Sequence, residues 1–231
     1  MSDDPETARQ IAELSLDARP LLVLDVDDVL LEFIRPFVRY LDSKGFSLSF
    51  DSFRLHGNIR HAHSGETAEH DTVSDMITDF FDTQSAWQTV THGAATALAG
   101  LGDAVEIVLL TAMPHRHREH RRRHLDDIGL RFPLVTTEAA KGPALARLRG
   151  DSGRPVAFVD DMPHNLLSAR QSLPDAHLFS YMAMPELRKL LPPVTDGVVE
   201  VDDWAIAAPM IARALGVDWN SGVIETANSA T

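Results

Sequence analysis

The 231-residue chain contains no cysteine, which excludes disulfides, zinc–thiolate centres and thiol catalysis. Lysine is scarce as well: Lys44, Lys141 and Lys189 are the only three. Basic side chains number 21 against 34 acidic ones, giving a formal net charge of −13. Such a chain lacks the basic face that nonspecific phosphate contacts require, so no nucleic-acid partner is expected. Long apolar runs are missing too. The aliphatic stretches 21–24 and 107–110 are far too short to span a bilayer, so no membrane partner is expected either. The acidic opening Met-Ser-Asp-Asp-Pro-Glu is followed by no apolar run of the kind a signal peptide carries. A cytoplasmic protein is the resulting expectation. Residues 220–231, small and polar, read as a loose tail.

What is present is an ordinary globular composition, 44% hydrophobic and 24% charged. Of the 34 acids 23 are aspartate, a poor helix former that favours loops and element ends. Their positions relative to the apolar runs therefore matter. Continuous aliphatic stretches at 21–25, 105–110 and 156–159 have the pattern of strands buried on both faces. Segments 177–181 and 198–201 add candidate edge strands, and helical patterns lie between them at 94–100, 115–128, 143–148 and 163–173, with a last one at 204–215. Strands alternating with helices predict a doubly wound parallel α/β sheet, a Rossmann-like core. Residues 31–92 break that rhythm. They carry helical spacings at Phe33, Phe37, Val38 and Leu41 and again at Val73, Ile77, Phe80 and Phe81, with no comparable aliphatic run. The chain is accordingly divided into a core, 1–30 and 93–231, and a small, mainly helical insert, 31–92.

In open α/β sheets ligands bind outside the carboxyl ends of the strands. The three main runs end in Asp25, followed by Val26, Asp27 and Asp28; in Thr111; and in Asp160, followed by Asp161. Carboxylates gathered there repel one another, so a cation belongs between them. Oxygen ligands without cysteine point to a hard ion, and Mg²⁺ fits because it takes one or two carboxylates together with substrate phosphate and water.

Asp25-x-Asp27 after the first strand, Thr111 ending a second, Lys141 opening a helix and Asp160-Asp161 ending a further strand resemble, in that order, the four motifs of the haloacid dehalogenase-like (HAD) superfamily. The resemblance spans residues 21 to about 170 and includes an insert where that superfamily often carries a helical cap. It implies phosphoryl transfer through an aspartyl-phosphate. Asp25 would be the nucleophile and Asp27 the general acid and base. Thr111 would bind a phosphoryl oxygen, and Lys141 would neutralise charge on Asp25 and the phosphoryl group. Mg²⁺ would be held by Asp25, the backbone carbonyl of Asp27 and the Asp160-Asp161 pair, with the directly coordinating member of that pair left open. The acid at Asp27 favours phosphoryl chemistry over dehalogenation. Asp28 stands where many members have Gly, and Ala112 follows Thr111 where Asn is frequent, so Ala112 is expected to meet substrate through its backbone.

Taken one at a time, these residues also have bland readings: Asp25 to Asp28 as a solvated turn, Asp160 and Asp161 as a helix cap, Lys141 as a surface lysine. In the insert, His56, Arg60 and His61 are candidates for contacting the non-phosphate part of the substrate, beside the reading as an exposed polar loop. The stretch 115–124 places His117, His120 and His124 on one helix face among five arginines, and is read as a solvated face rather than a metal site. The expectation is a Mg²⁺-dependent phosphatase acting on a small phosphorylated metabolite such as a nucleotide or sugar phosphate. A homodimer, a phosphomutase of the β-phosphoglucomutase type and a catalytically silent binding protein on the same scaffold stay open.

Overall fold

A computed structural model describes residues 4–219, so the tail expected at 220–231 lies outside the described residues. In chain order the elements are α1 (Pro5–Ala12), β1 (Leu21–Leu24), α2 (Ile34–Ser43), β2 (Phe46–Leu48), β3 (Ile59–His61), α3 (His70–Asp82), α4 (Ala94–Leu101), β4 (Glu106–Thr111), α5 (Arg118–Asp127) and β5 (Leu134–Thr136). They continue with α6 (Lys141–Arg149), β6 (Val156–Asp160), α7 (Pro163–Ser172), β7 (His177–Tyr181), β8 (Val198–Val201) and α8 (Trp204–Leu215). Among the described residues no helix is long and apolar enough to cross a membrane.

Six strands form one parallel sheet in the order β5-β4-β1-β6-β7-β8. The period of two along each strand sorts its side chains between two cores. Leu22, Leu24, Ile107, Leu109, Ala157 and Val159 pack on one face, with α4, α5 and α8. Leu21, Val23, Val108, Leu110, Val156 and Phe158 pack on the other, with α1, α6 and α7. Burial on both faces explains why these strands read as unbroken aliphatic runs. From β1 the chain steps outward through β4 to β5, then returns to the opposite flank of β1 to place β6. The strand order reverses at that point, and a crevice opens between the carboxyl ends of β1 and β6.

Residues 31–92 pack around an aromatic cluster of their own. Phe37, Tyr40 and Phe80 are buried together, with Phe37 and Phe80 edge to face at 5.1 Å between centroids. The insert holds α2 and α3 as its pattern suggested, but it also contains a two-stranded antiparallel hairpin, β2 with β3. With three residues each, these strands are too short to leave a periodic trace, and β5 is equally short. Asp28 adopts φ of 55°, the left-handed region in which Gly, Asn and Asp are tolerated. Its carboxylate accepts hydrogen bonds from Phe33 N (2.8 Å) and Ile34 N (3.3 Å), so it caps the first turn of α2 across the entry to the insert.

Candidate active site

The sequence-predicted aspartates meet at the reversal point because each directly follows or ends a parallel strand. Asp25 follows β1, its N–H donating to Val159 O across the sheet, while Asp160 closes β6 and Asp161 comes next. The carboxylates of Asp25, Asp160 and Asp161 offer oxygens within 4.8 Å of one another, and all three residues are buried. A single ammonium sits among them. Lys141, fully buried at the start of α6, places Nζ 2.6 Å from Asp25 Oδ1 and 2.7 Å from Asp160 Oδ2. Its reading as a surface lysine is therefore excluded.

Asp160 is saturated by the protein: besides Lys141, Oδ1 accepts from Met162 N at 2.9 Å and from the Asn165 amide at 3.0 Å. The Asp161 carboxylate receives no hydrogen bond from the described residues. Burial first, then the charges of Asp160 and Asp25, push its pKa well above the ordinary carboxylate range. Asp25 is pushed up to about 7, chiefly by burial, which outweighs the lowering by Lys141. For Lys141, burial acts to depress the pKa, but the charges of Asp160 and Asp25 prevail and raise it. Thr111 is buried at the end of β4, where its Oγ1 accepts from Met113 N at 3.2 Å and keeps its own proton to donate. Asp25, Asp27, Thr111, Ala112, Lys141 and Asp161 all line one cavity of about 300 Å³, with residues of the insert lining its far side.

Two local features hold Lys141 in place. The residue after it must be glycine: a Cβ on Gly142 would lie 2.1 Å from Ser168 O and 2.6 Å from Ser168 Oγ of α7. The Gly142 N–H also donates to Ser168 Oγ at 3.1 Å. The beginning of α6 thus lies directly against α7, and that contact carries the lysine under the carboxylates.

Stretch 115–124 is solvated at Arg116, Glu119, His120 and Arg123 but buried along a second face. Arg121 is fully buried and His117 and His124 nearly so. Arg121 Nη2 donates to Asp27 Oδ1 at 2.9 Å and to Gln88 Oε1 at 3.2 Å, Nε donates to Gln84 Oε1, and Gln88 Nε2 donates to Asp27 Oδ1 at 2.8 Å. Spacing along the helix groups 117, 121 and 124 on one face; only the fold reveals that this face turns toward the first aspartate loop and the return from the insert. His117 and His120 both reach Asp82 at the end of α3, tying the insert to α5. Burial lowers the His117 and His124 pKa values.

The expected substrate contacts of the insert are placed elsewhere. His56 stacks on His70 at 4.2 Å and bonds Ser74, His61 packs on Phe46 at 4.6 Å, and Arg60 pairs with Asp51 at 3.6 Å. None of the three lines the cavity. Apolar residues of the β2–β3 connection occupy the cavity side instead, and the polar side chains find partners within the insert. Arg121, Gln88 and Asn165 are the additions that sequence reasoning missed.

No family model matches the chain, and no curated protein matches it. Solved structures do. A HAD family hydrolase from Deinococcus radiodurans R1, with bound phosphate and sodium, is 14% identical and superposes with a TM-score of 0.58 over 86% of this chain and 97% of its own. A predicted phosphatase from Clostridium acetobutylicum is 13% identical, with a TM-score of 0.56 over 84% of this chain and 99% of its own. A HAD-superfamily hydrolase of subfamily IA from Geobacter sulfurreducens is 16% identical, with a TM-score of 0.55 over 85% and 97% respectively. The protein therefore has the fold of the haloacid dehalogenase-like hydrolases and phosphatases, with a cap-like insert following its first strand.

Proposed function

We propose that this protein is a Mg²⁺-dependent phosphomonoesterase working through an aspartyl-phosphate on Asp25. The observation that carries the reading is the buried cluster in which Asp25 faces Lys141, Asp160 and Asp161 at the floor of a cavity that Thr111 and Asp27 also line. Asp25 is the nucleophile: one carboxylate oxygen attacks phosphorus, the ester P–O bond breaks, and the leaving oxygen takes the proton of the Asp27 carboxyl. A water then gives its proton to the Asp27 carboxylate as its oxygen attacks phosphorus, which breaks the bond to Asp25 and frees inorganic phosphate. Lys141 and the Thr111 hydroxyl stabilise charge on the phosphoryl oxygens, fixed in place before substrate arrives.

The donor set fits a hard divalent cation. Three buried carboxylates share one ammonium, which leaves a negative surplus that oxygen-seeking Mg²⁺ would neutralise. Asp25 and Asp161 would hold it together with the Asp27 carbonyl, because both Asp160 oxygens are already engaged by Lys141, Asn165 and Met162. Once bound, the ion would screen the nucleophile from its neighbours and polarise the phosphoryl group. Phosphate release from p-nitrophenyl phosphate, with Mg²⁺ and after chelation, tests the proposal. Activity is expected to vanish on chelation and in Asp25→Asn; turnover that survives Asp25→Asn would overturn the nucleophile assignment.

A further inference from the structure

Above the reactive floor the cavity wall is predominantly hydrocarbon. Phe33 stands at the start of the insert, Phe50, Phe53 and Leu55 reach in from its β2–β3 connection, and Met113 and Leu187 complete the wall from the core. Phe50 is 42% exposed, one of four large apolar side chains left so open among the described residues. An aromatic ring held open to water along a cavity wall keeps unburied apolar area that a ligand can cover.

Several polar groups of the same wall are partly engaged within the protein. Ser49 Oγ donates to Asp51, Ser52 Oγ accepts from the Asn58 amide, and the Asn165 amide holds Asp160. Asp28 is buried under the backbone N–H groups of Phe33 and Ile34. Away from the aspartates, Arg54 and His164 also stand on the lining, and Arg54 is solvent-exposed, while Ser52 keeps its hydroxyl proton and Asn165 its amide oxygen. A sugar or a polyol would therefore desolvate some of its hydroxyls against phenyl and methyl groups, a loss that discriminates on the order of 10- to 100-fold.

Size narrows the class further. About 300 Å³ is at the small end of ligand pockets. A cavity of roughly 150 Å³ suffices for a benzene ring, so the pocket accommodates one ring beside the phosphoryl group, with its mouth open to solvent. Resting on the phosphomonoesterase reading above, we propose that the substrate is the phosphate monoester of a compact apolar alcohol carrying a single aromatic ring or a branched aliphatic group, rather than a nucleotide or sugar phosphate.

Esters of primary alcohols share similar leaving groups, so differences among them report on the cavity. The experiment compares kcat/KM with Mg²⁺ for 2-phenylethyl phosphate and 3-methylbutyl phosphate against glycerol 3-phosphate and glucose 6-phosphate. The apolar pair is expected to be favoured on the order of tenfold or more. Phe53→Ser and, separately, Phe50→Ser are expected to pull that ratio toward one. Equal or inverted preference, with turnover intact, overturns the substrate class and leaves the phosphatase reading standing. Absence of turnover on every ester and on p-nitrophenyl phosphate overturns the phosphatase reading, and the substrate proposal falls with it.

Discussion

Replacing Gly142 with alanine adds one methyl group at the tightest point of the site's support. The new Cβ would stand 2.1 Å from Ser168 O, 2.5 Å from Ser168 C and 2.6 Å from Ser168 Oγ. Non-bonded carbon contacts relax near ~3.5 Å, so α6 must retreat from α7 by more than about 1 Å. The obstacle is backbone inside a helix, so no side-chain rotation relieves it, and Ser168→Ala gives no rescue. Overpacking of this kind costs about 1–3 kcal/mol. A retreat of α6 also carries Lys141 away from Asp25 and Asp160, now 2.6 and 2.7 Å from its Nζ, and disrupting a buried pair costs roughly 3–5 kcal/mol when it is lost outright. Partial relaxation of both gives an expected loss of about 2–4 kcal/mol. With a urea m value of about 2–3 kcal/mol/M, the unfolding midpoint should fall by roughly 1 M, and phosphatase turnover should fall with it. Gly153→Ala is the control: no atom lies within 4 Å of its would-be Cβ, and its φ of +64° confines the cost to backbone strain of about 1 kcal/mol. If Gly142→Ala unfolds within about 0.5 kcal/mol of the parent, the account of how Lys141 is held is refuted.

Arg121→Met removes the buried cation from Asp27, which itself is about one-fifth exposed. Turnover of alkyl phosphates, whose leaving oxygen needs a proton, should drop on the order of 10–100-fold. The loss in kcat/KM, which reports formation of the aspartyl-phosphate and not its hydrolysis, should be much smaller for p-nitrophenyl phosphate, whose leaving group needs none; equal losses in kcat/KM on both would reduce Arg121 to a purely structural role. Asp28 supplies a pH test. Burial above all, with the charges of Asp27 and Glu32 adding to it against the Phe33 and Ile34 hydrogen bonds, pushes its carboxyl up to about 7 from 3.8. Between those values the folded chain binds the proton that the unfolded chain has released, so this group's contribution to stability is greatest at low pH and declines as pH rises to 7. Asparagine tolerates the same backbone and keeps the acceptor. Asp28→Asn should therefore gain on the parent by about 2 kcal/mol between pH 5 and pH 8, read from urea midpoints; a difference independent of pH would refute the assignment.

Much of the core was legible because its signals are local. A strand buried on both faces must be a short aliphatic run, and such a run marks its own carboxyl end; Asp25, Thr111 and Asp160 could thus be located without knowing what they face. Lys141 was legible only through its order relative to the other motifs, since nothing nearby distinguishes a buried lysine from a surface one. The elements that escaped were short: three residues of β5 and three in each strand of the hairpin show no period. Helix α1 also went unread, though Asp4 caps it and Pro5 opens it.

By itself, then, the sequence determined the alternation of strands and helices and the chemistry available at the strand ends, because each depends on neighbours within a few residues. Tertiary structure alone decided who meets whom. Arg121 reaches Asp27 across 94 positions, and Lys141 reaches Asp160 across 19. Asp160 is drawn into hydrogen bonds while Asp161 receives none from the described residues, and phenyl groups rather than His56, Arg60 and His61 line the cavity. Composition lists charges and rings, but whether a charge is paired or a ring faces a ligand depends on the neighbours that folding brings within a few ångströms, where burial strengthens every polar contact and penalises every unmet one.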